Sequence, residues 1–355
     1  MDSAIEKKAI SAALSDPQLK GQLWPIRPRP LPDELLSSWL VRLAHGHGLK
    51  VQTFCNLTFG SELQVWNRDI DRLAPPWLLR ELVCRTGTPW AIIVRTTLRA
   101  YENLLYRKFR SAGSLQWILG LKMYHRKRTG FGLQFCPLCL RLDRVPYYRR
   151  SWRVALTTAC PIHKTMLHDR CPECHASVAV HRVDMRDRTL GERALSYCHS
   201  CGFDLSESQT VQPDYYDSDT ADVLRAACSA CGYESSPSCS DWNLQRLSVL
   251  HHLCQILTSR YQHVRLRQFI LSKLSAIDVP LTPGRVSIEM RSVHERHHLV
   301  QLAAWLLVDI RSRLTESWYA GAVRQNLFLK DFDDSPDWYR EIIDALPNWR
   351  TRQVR

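Results

Sequence analysis

Apolar residues recur at intervals of three and four from Asp33 to about Ala44. Leu35, Leu36, Trp39, Leu40 and Leu43 there share one face of a helix. His45-Gly46-His47-Gly48 breaks the pattern, and a second periodic stretch runs from Val51 to about Phe59. Helix, glycine turn and helix predict a helix-turn-helix-like unit. The arrangement then repeats. Trp77, Leu78, Leu79, Leu82 and Val83 mark one helix, Gly87 and Pro89 a turn, and Trp90 to Tyr106 another helix. The helical period returns over residues 241–346. Leu244, Leu247, Leu250, Leu253 and Leu257 form one stripe, and Leu299, Leu302, Ala303, Leu306 and Ile310 a second, with Pro280, Pro283 and Gly284 splitting the two groups. Two stretches lack a period. Residues 24–32 read WPIRPRPLP, whose four prolines predict an extended arm after a short N-terminal helix. From about 206 to 240 the chain is polar and turn-rich and reads as a linker or irregular insert.

A chain of 355 residues predicts two or three modules, and an apolar fraction of 45% excludes a disordered or collagen-like chain. The longest apolar run, Leu302 to Val308, is too short to cross a bilayer. Glu6, Lys7 and Lys8 stand where a signal peptide would have its apolar core, so the expected setting is intracellular.

The net charge of +13 suits a polyanion. Its source is concentrated, because residues 95–153 hold fourteen Lys and Arg against only Glu102 and Asp143, with aromatic residues between them. Cations that grip phosphate beside rings that stack on bases make a nucleic-acid surface, whereas core aromatics behind a solvated face are the plainer alternative. The candidate contacts are Arg95, Arg99, Arg107, Lys108, Arg110, Lys122, Arg126, Lys127, Arg128, Arg149 and Arg150. Arg95 and Arg99, four apart on the expected helix, would share a face.

Thirteen cysteines in a long chain without a signal segment point to metal rather than disulfides. Cys136-Pro-Leu-Cys139 and Cys160-Pro-Ile-His163 are separated by 20 residues, and Cys171-Pro-Glu-Cys174 and Cys198-His-Ser-Cys201 by 23. Each pair brings two donors to one ion from a tight turn, and two pairs complete a tetrahedron. Sequential pairing gives Cys136, Cys139, Cys160 and His163 for one zinc ion and Cys171, Cys174, Cys198 and Cys201 for a second. A crossed arrangement would join the first knuckle to the third. Four protein ligands leave no open position, so both ions would be structural. Cys228-Ser-Ala-Cys231 resembles half of a third site, for which only Cys239, His251 or Cys254 is at hand. Cys55, Cys84 and Cys254 sit in helical patterns as small buried residues. The expected layout is an arm over 1–32, a helix-turn-helix-like helical domain over 33–130, a tandem zinc-binding module over 131–205, the linker over 206–240 and a helical C-terminal domain over 241–355. The fold class is mainly α with small zinc-ribbon elements.

Three stretches carry a family likeness. They are LPDELLSSWLVRLAHGHGL, then FCPLCLRLDRVPYYRRSWRVALTTACPIHKTMLHDRCPECHASV, and the late knuckle CHSC followed by Gly202. Together, over about residues 25–205, they resemble the TniQ family of transposition proteins, which includes the TnsD-type target selectors. The resemblance implies a non-catalytic adaptor working beside a separate transposase and an AAA+ ATPase regulator. Some members bind attachment-site DNA; others dock on an RNA-guided effector complex (the CRISPR-associated transposons) and act as dimers. The expected partners are thus the ATPase, target DNA or a guide complex, and a second copy of the chain. The alternative readings are a zinc-finger transcription regulator and a zinc peptidase.

The peptidase reading rests on His294-Glu295-Arg296-His297-His298, an H-E-x-x-H match whose two histidines would hold zinc while the glutamate activates water. Arg296 and His297 stand where such helices are uncharged, and the third ligand would have to be Glu316. No G-x-x-x-x-G-K-[ST] or G-x-S-x-G is present. The chain is therefore expected not to be an enzyme.

Overall fold

The computed structural model describes residues 23–124, 127–128, 130–185, 191–231, 242–258 and 263–346. It is mostly helical, as expected, with one hairpin of two-residue strands among the described residues. The chain forms two compact units that are discontinuous in sequence, rather than the contiguous segments expected. The first takes the described residues up to Ala100 with Leu121–Arg153 and His168–Gln209. The second takes Tyr101–Gly120, Val154–Leu167 and the described residues from Thr210 onward.

In the first unit, α1 (Leu36–Gly46) and α2 (Val51–Phe59) form the expected pair. The predicted stripe Leu35, Leu36, Trp39, Leu40 and Leu43 is fully buried. α1 has no side-chain cap of its own, and tertiary partners satisfy its first N–H groups: Leu35 donates to Tyr148 O, Leu36 to Thr96 O, and Ser37 to Asp71 Oδ1 at 2.7 Å. The turn to α2 needs Gly48, whose φ is +69°. The described part of the proline arm is fastened to this pair. Trp24 meets the rings of His47 and Phe54 edge-on, and Trp39 Nε1 donates to Pro28 O at 2.7 Å.

α3 (Ile70–Leu73) is capped by Asp69, and α4 (Pro76–Thr86) starts on proline and stops at Gly87. The helix expected from Trp90 to Tyr106 is cut short. α5 covers only Trp90–Arg95, followed by a single 3-10 turn at Leu98–Tyr101. The hydroxyls of Thr96 and Thr97 bond Ile93 O and Val94 O, drawing the backbone out of helical bonding. Arg95 and Arg99 consequently do not share a helical face. β1 (Met123–Tyr124) pairs antiparallel with β2 (Lys127–Arg128), and α6 is Pro137–Leu142.

The second unit holds α7 (Ser218–Ala230), α8 (Leu244–Leu257), α9 (His263–Leu274), α10 (Val293–Val308), α11 (Ile310–Tyr319) and α12 (Asp337–Asp344). α7 lies inside the stretch expected to be a linker. Asp217 caps it, and Thr220, Ala221, Leu224 and Ala227 give it a buried stripe that its polar surroundings hide in the sequence. Packing centres on α10 against α7 and α8. Leu247, Leu250, Leu253, Leu299, Leu302, Ala303 and Leu306 are fully buried. Ile310 leaves the predicted stripe, because Asp309 ends α10 and caps α11. Val154–Leu167 is tied to this core: Arg296, itself fully buried, donates to Ala155 O at 2.8 Å, and Thr158 Oγ1 bonds His297 Nδ1 at 2.9 Å. No described helix is long and apolar enough to cross a membrane.

Candidate functional site

Two groups of metal-ligating atoms converge among the described residues, and they follow the sequential pairing, not the crossed one. The ligand atoms of Cys136, Cys139, Cys160 and His163 lie within 4.8 Å of one another, as do those of Cys171, Cys174, Cys198 and Cys201.

Three of the four knuckles repeat one backbone device. The N–H of the fourth residue after the first ligand returns to that ligand's carbonyl: Lys164 to Cys160, His175 to Cys171 and Gly202 to Cys198, at 2.8 to 3.0 Å. That fourth residue is left-handed each time, with φ of +48°, +57° and +86°. The first ligand's own N–H reaches the fifth residue, Thr165, Ala176 or Phe203. Only Gly202 signals the turn in the sequence; Lys164 and His175 carry no hint of it. The Cys136 knuckle is different, since Cys136 is the N-cap of α6 and Cys139 lies on that helix.

The donor geometry fits a tetrahedral ion. Cys174 and Cys198 Sγ are 3.6 Å apart, Cys171 and Cys201 Sγ 3.7 Å, and Cys160 Sγ and His163 Nδ1 3.7 Å. A tetrahedron with about 2.3 Å metal–sulfur bonds has edges of about 3.8 Å. Burial pushes the Cys171 thiol up to about 12, so a cation is what would make it a thiolate at neutral pH. The two sets differ in access. Cys136, Cys139 and Cys160 are buried, whereas the second set opens to solvent at Cys174 and Cys201.

No third set forms among the described residues. Cys228 Sγ is directed at Leu156 O and Cys231 Sγ at Ala227 O, within the packing of α7. His251 bonds Glu289 at 2.6 Å and Cys254 faces Leu299 O, while Cys239 lies outside the described residues. Cys55 is buried and accepts from Trp66 Nε1; Cys84 is only half-buried.

The H-E-x-x-H match is the start of a helix. Ser292 caps α10 and Glu295 closes the reciprocal capping box; Glu295 also accepts from the Thr282 N–H and from Arg291. These donors hold its carboxyl below the usual range against the opposing effect of burial. Both nitrogens of His298 are taken, Nδ1 by Tyr216 Oη and Nε2 by Asp278. His294 is exposed, and Glu316 pairs with Lys273. The carboxylate is committed to donors and the ring to neighbours, so the motif builds no peptidase centre.

The basic candidates divide. Arg149 and Arg150 are about nine-tenths buried and serve the first unit's interior, which corrects their reading as phosphate contacts. Arg149 pairs with Asp143 at 2.9 Å and covers the rings of Tyr147 and Trp152; Arg150 pairs with Asp33 at 3.2 Å. Arg95 and Lys122 in the first unit, and Arg107, Lys108 and Arg110 in the second, are exposed, while Arg99 is half-buried. Arg126 lies outside the described residues, as do the side chains of Lys127 and Arg128.

Asp184 belongs to no motif of the chain. It accepts from the Val51 N–H at the start of α2 at 2.7 Å and pairs with His45 on α1 at 3.0 Å. His181, three residues earlier, stacks on Trp66 with ring centroids 5.0 Å apart.

Among known proteins, no curated protein matches the chain. One family model, TniQ, matches residues 25–167. The matched segment spans the α1–α2 pair and the whole first donor set, and it ends before Cys171. Over that segment, less than half of its length, the chain is similar to the TniQ family.

Proposed function

We propose that the chain is a non-catalytic adaptor for target-site selection in DNA transposition. On this reading it links a target, either DNA or an RNA-guided effector complex, to an AAA+ ATPase regulator, and zinc fills both donor sets as a structural ion. The observation that carries the reading is the TniQ match over residues 25–167. The ligand chemistry supports it, because each set offers four protein donors and no position for a substrate. The exposed cations among the described candidates, Arg95, Arg107, Lys108, Arg110 and Lys122, would face phosphate on this reading. A second copy of the chain is part of the proposal.

The test is reconstitution. The purified chain is mixed with a candidate AAA+ ATPase regulator, with bare target DNA and with a candidate guide complex, and retention is scored. Retention of the ATPase together with either target supports the adaptor. Binding to DNA alone, with no effect on recruitment of the ATPase, would replace it with a transcription-regulator reading. Sedimentation at rising concentration tests the dimer.

A further inference from the structure

The second donor set bounds a loop, from Cys174 to Cys198, that braces the helix pair of the same unit. In its middle the 3-10 turn Val180–Arg182 packs against α1 and α2. There Asp184 holds the first N–H of α2 and the ring of His45, and His181 lies flat on Trp66. The loop has little regular structure of its own; its described residues form short 3-10 turns and single bridges at Ser177 and Tyr197. Its ends are fixed at the knuckles, so the ion that joins the knuckles also anchors the brace.

That anchor is chemically exposed. Cys174 and Cys201 reach solvent, while the three sulfurs of the first set are at most 2% exposed. Cys174 Sγ lies 3.6 Å from Cys198 Sγ on the opposite knuckle. A thiolate that meets solvent and has a partner sulfur within reach is the arrangement that oxidises to a disulfide.

We propose that Cys174 is an oxidation site, resolved by Cys198, that opens the second metal centre under a hydroperoxide and releases the Asp184 clamp on α2 while the first centre keeps its ion. The Cys174 thiolate attacks the peroxide, cleaving the O–O bond; one oxygen stays on sulfur as the sulfenic acid and the other leaves as hydroxide. The Cys198 thiolate then attacks that sulfur, forming the S–S bond and expelling a second hydroxide. Two protons convert the hydroxides to two waters. Two electrons pass from the sulfurs to the peroxide, and Cys171 and Cys201, the two donors left, would no longer hold an ion. The inference rests on the zinc reading of both sets.

The experiment uses the full chain. Metal content is measured first, which tests the zinc reading alone: two ions per chain support it, and none removes both it and the inference. Hydrogen peroxide is then titrated in the presence of a chromogenic zinc chelator. The expected result is one equivalent released, a Cys174–Cys198 disulfide in the peptide map, and faster amide exchange over Val51–Phe59, with Leu244–Leu257 unchanged. Release of both ions together, release of neither, or a disulfide elsewhere overturns the proposal and leaves the zinc reading standing. The variant Asp184→Ala isolates the clamp. It should speed exchange in Val51–Phe59 with both ions retained, and unchanged exchange would overturn the coupling.

Discussion

Arg153 is fully buried and reaches two carboxylates of the first unit, Asp69 at 2.6 Å and Asp71 at 3.3 Å. Asp71 in turn accepts from the Ser37 N–H and hydroxyl, so the guanidinium supports the start of α1 through one intermediate. Removing one partner of a buried pair leaves the other charge uncompensated, at a cost of about 3–5 kcal/mol. Arg153→Met should therefore lower unfolding stability in urea by that order. Arg107→Ala, which breaks an exposed pair with Asp334, should change it by less than about 0.5 kcal/mol. Burial, and after it Asp69, already push the Asp71 carboxyl up to about 6 against the pull of Arg153. Without that cation Asp71 takes up a proton more readily, so the deficit of Arg153→Met should be smaller at pH 5 than at pH 8. Equal deficits at both pH values would mean that Asp71 does not carry the effect.

Metal removal should act as unfolding, not as inhibition. The described residues from Cys136 to Cys201 form only short elements, and structural zinc in such a segment supplies folding free energy directly. Elemental analysis should find close to two zinc ions per chain. Cys139→Ser and Cys198→Ser should each remove one of them. Prolonged chelation should lower the melting temperature of the wild-type chain and leave that of a Cys139→Ser/Cys198→Ser double variant unchanged. One ion in the wild-type chain would contradict the sequential pairing.

Glu295→Gln separates the two meanings of H-E-x-x-H. As a capping-box residue Glu295 stabilises the N-terminus of α10, and the substitution should cost about 1 kcal/mol. Its folded carboxyl lies below the ordinary value, so its contribution is present above about pH 4.5 and fades as pH falls through the lower folded value. No target binding or ATPase recruitment should be lost. Peptide turnover that vanished in Glu295→Gln would restore the peptidase.

The second unit should lose stability in mild acid. Burial pushes His297 and His252 down to about 4, against the opposing effect of the carbonyls that accept from their rings, Asp214 O and Phe328 O respectively. The unfolded chain protonates these rings near pH 6.5 and the folded chain only near 4, so the unfolded state binds more protons between those values. Stability is then full above about pH 6.5 and falls as pH drops, by up to about 3 kcal/mol per ring. His297→Gln should reduce the slope of stability against pH over that window by about one proton. An unchanged slope would show that the ring is already charged in the folded chain.

These residues also mark where sequence reading succeeds and where it stops. The two donor sets were legible because two-residue spacing fixes donor convergence covalently, and the α1 stripe because helical period alone decides which side is buried. The end of α5 was not, since two threonine hydroxyls decide it locally against an apolar run that continues to Tyr106. α7 was hidden by polar neighbours although its own stripe is regular. The burial of Arg149 and Arg150 was hidden for a different reason. A charge balance over residues 95–153 cannot see that Asp33, from earlier in the chain, pairs with Arg150, nor that Asp143 is spent on Arg149 inside the first unit. Asp184 was invisible for the same reason: a single aspartate in a loop gains its meaning only from Val51, 133 residues away.

With those arginines committed to the interior, any grip on phosphate falls to fewer cations. Arg107, Lys108 and Arg110 lie exposed within four consecutive positions of the second unit. Each phosphate contact releases about 0.9 counterion from duplex DNA, so the slope of log affinity against log salt counts the cations engaged. Arg107→Ala/Lys108→Ala/Arg110→Ala should lower that slope by up to about 3 if all three touch phosphate. Arg149→Gln and Arg150→Gln should leave the slope unchanged while lowering stability. The opposite pattern, in which the buried arginines govern salt dependence and the exposed triplet does not, would require the first unit to open on binding DNA. Amide exchange over Leu36–Gly46, measured with and without DNA, would detect that opening.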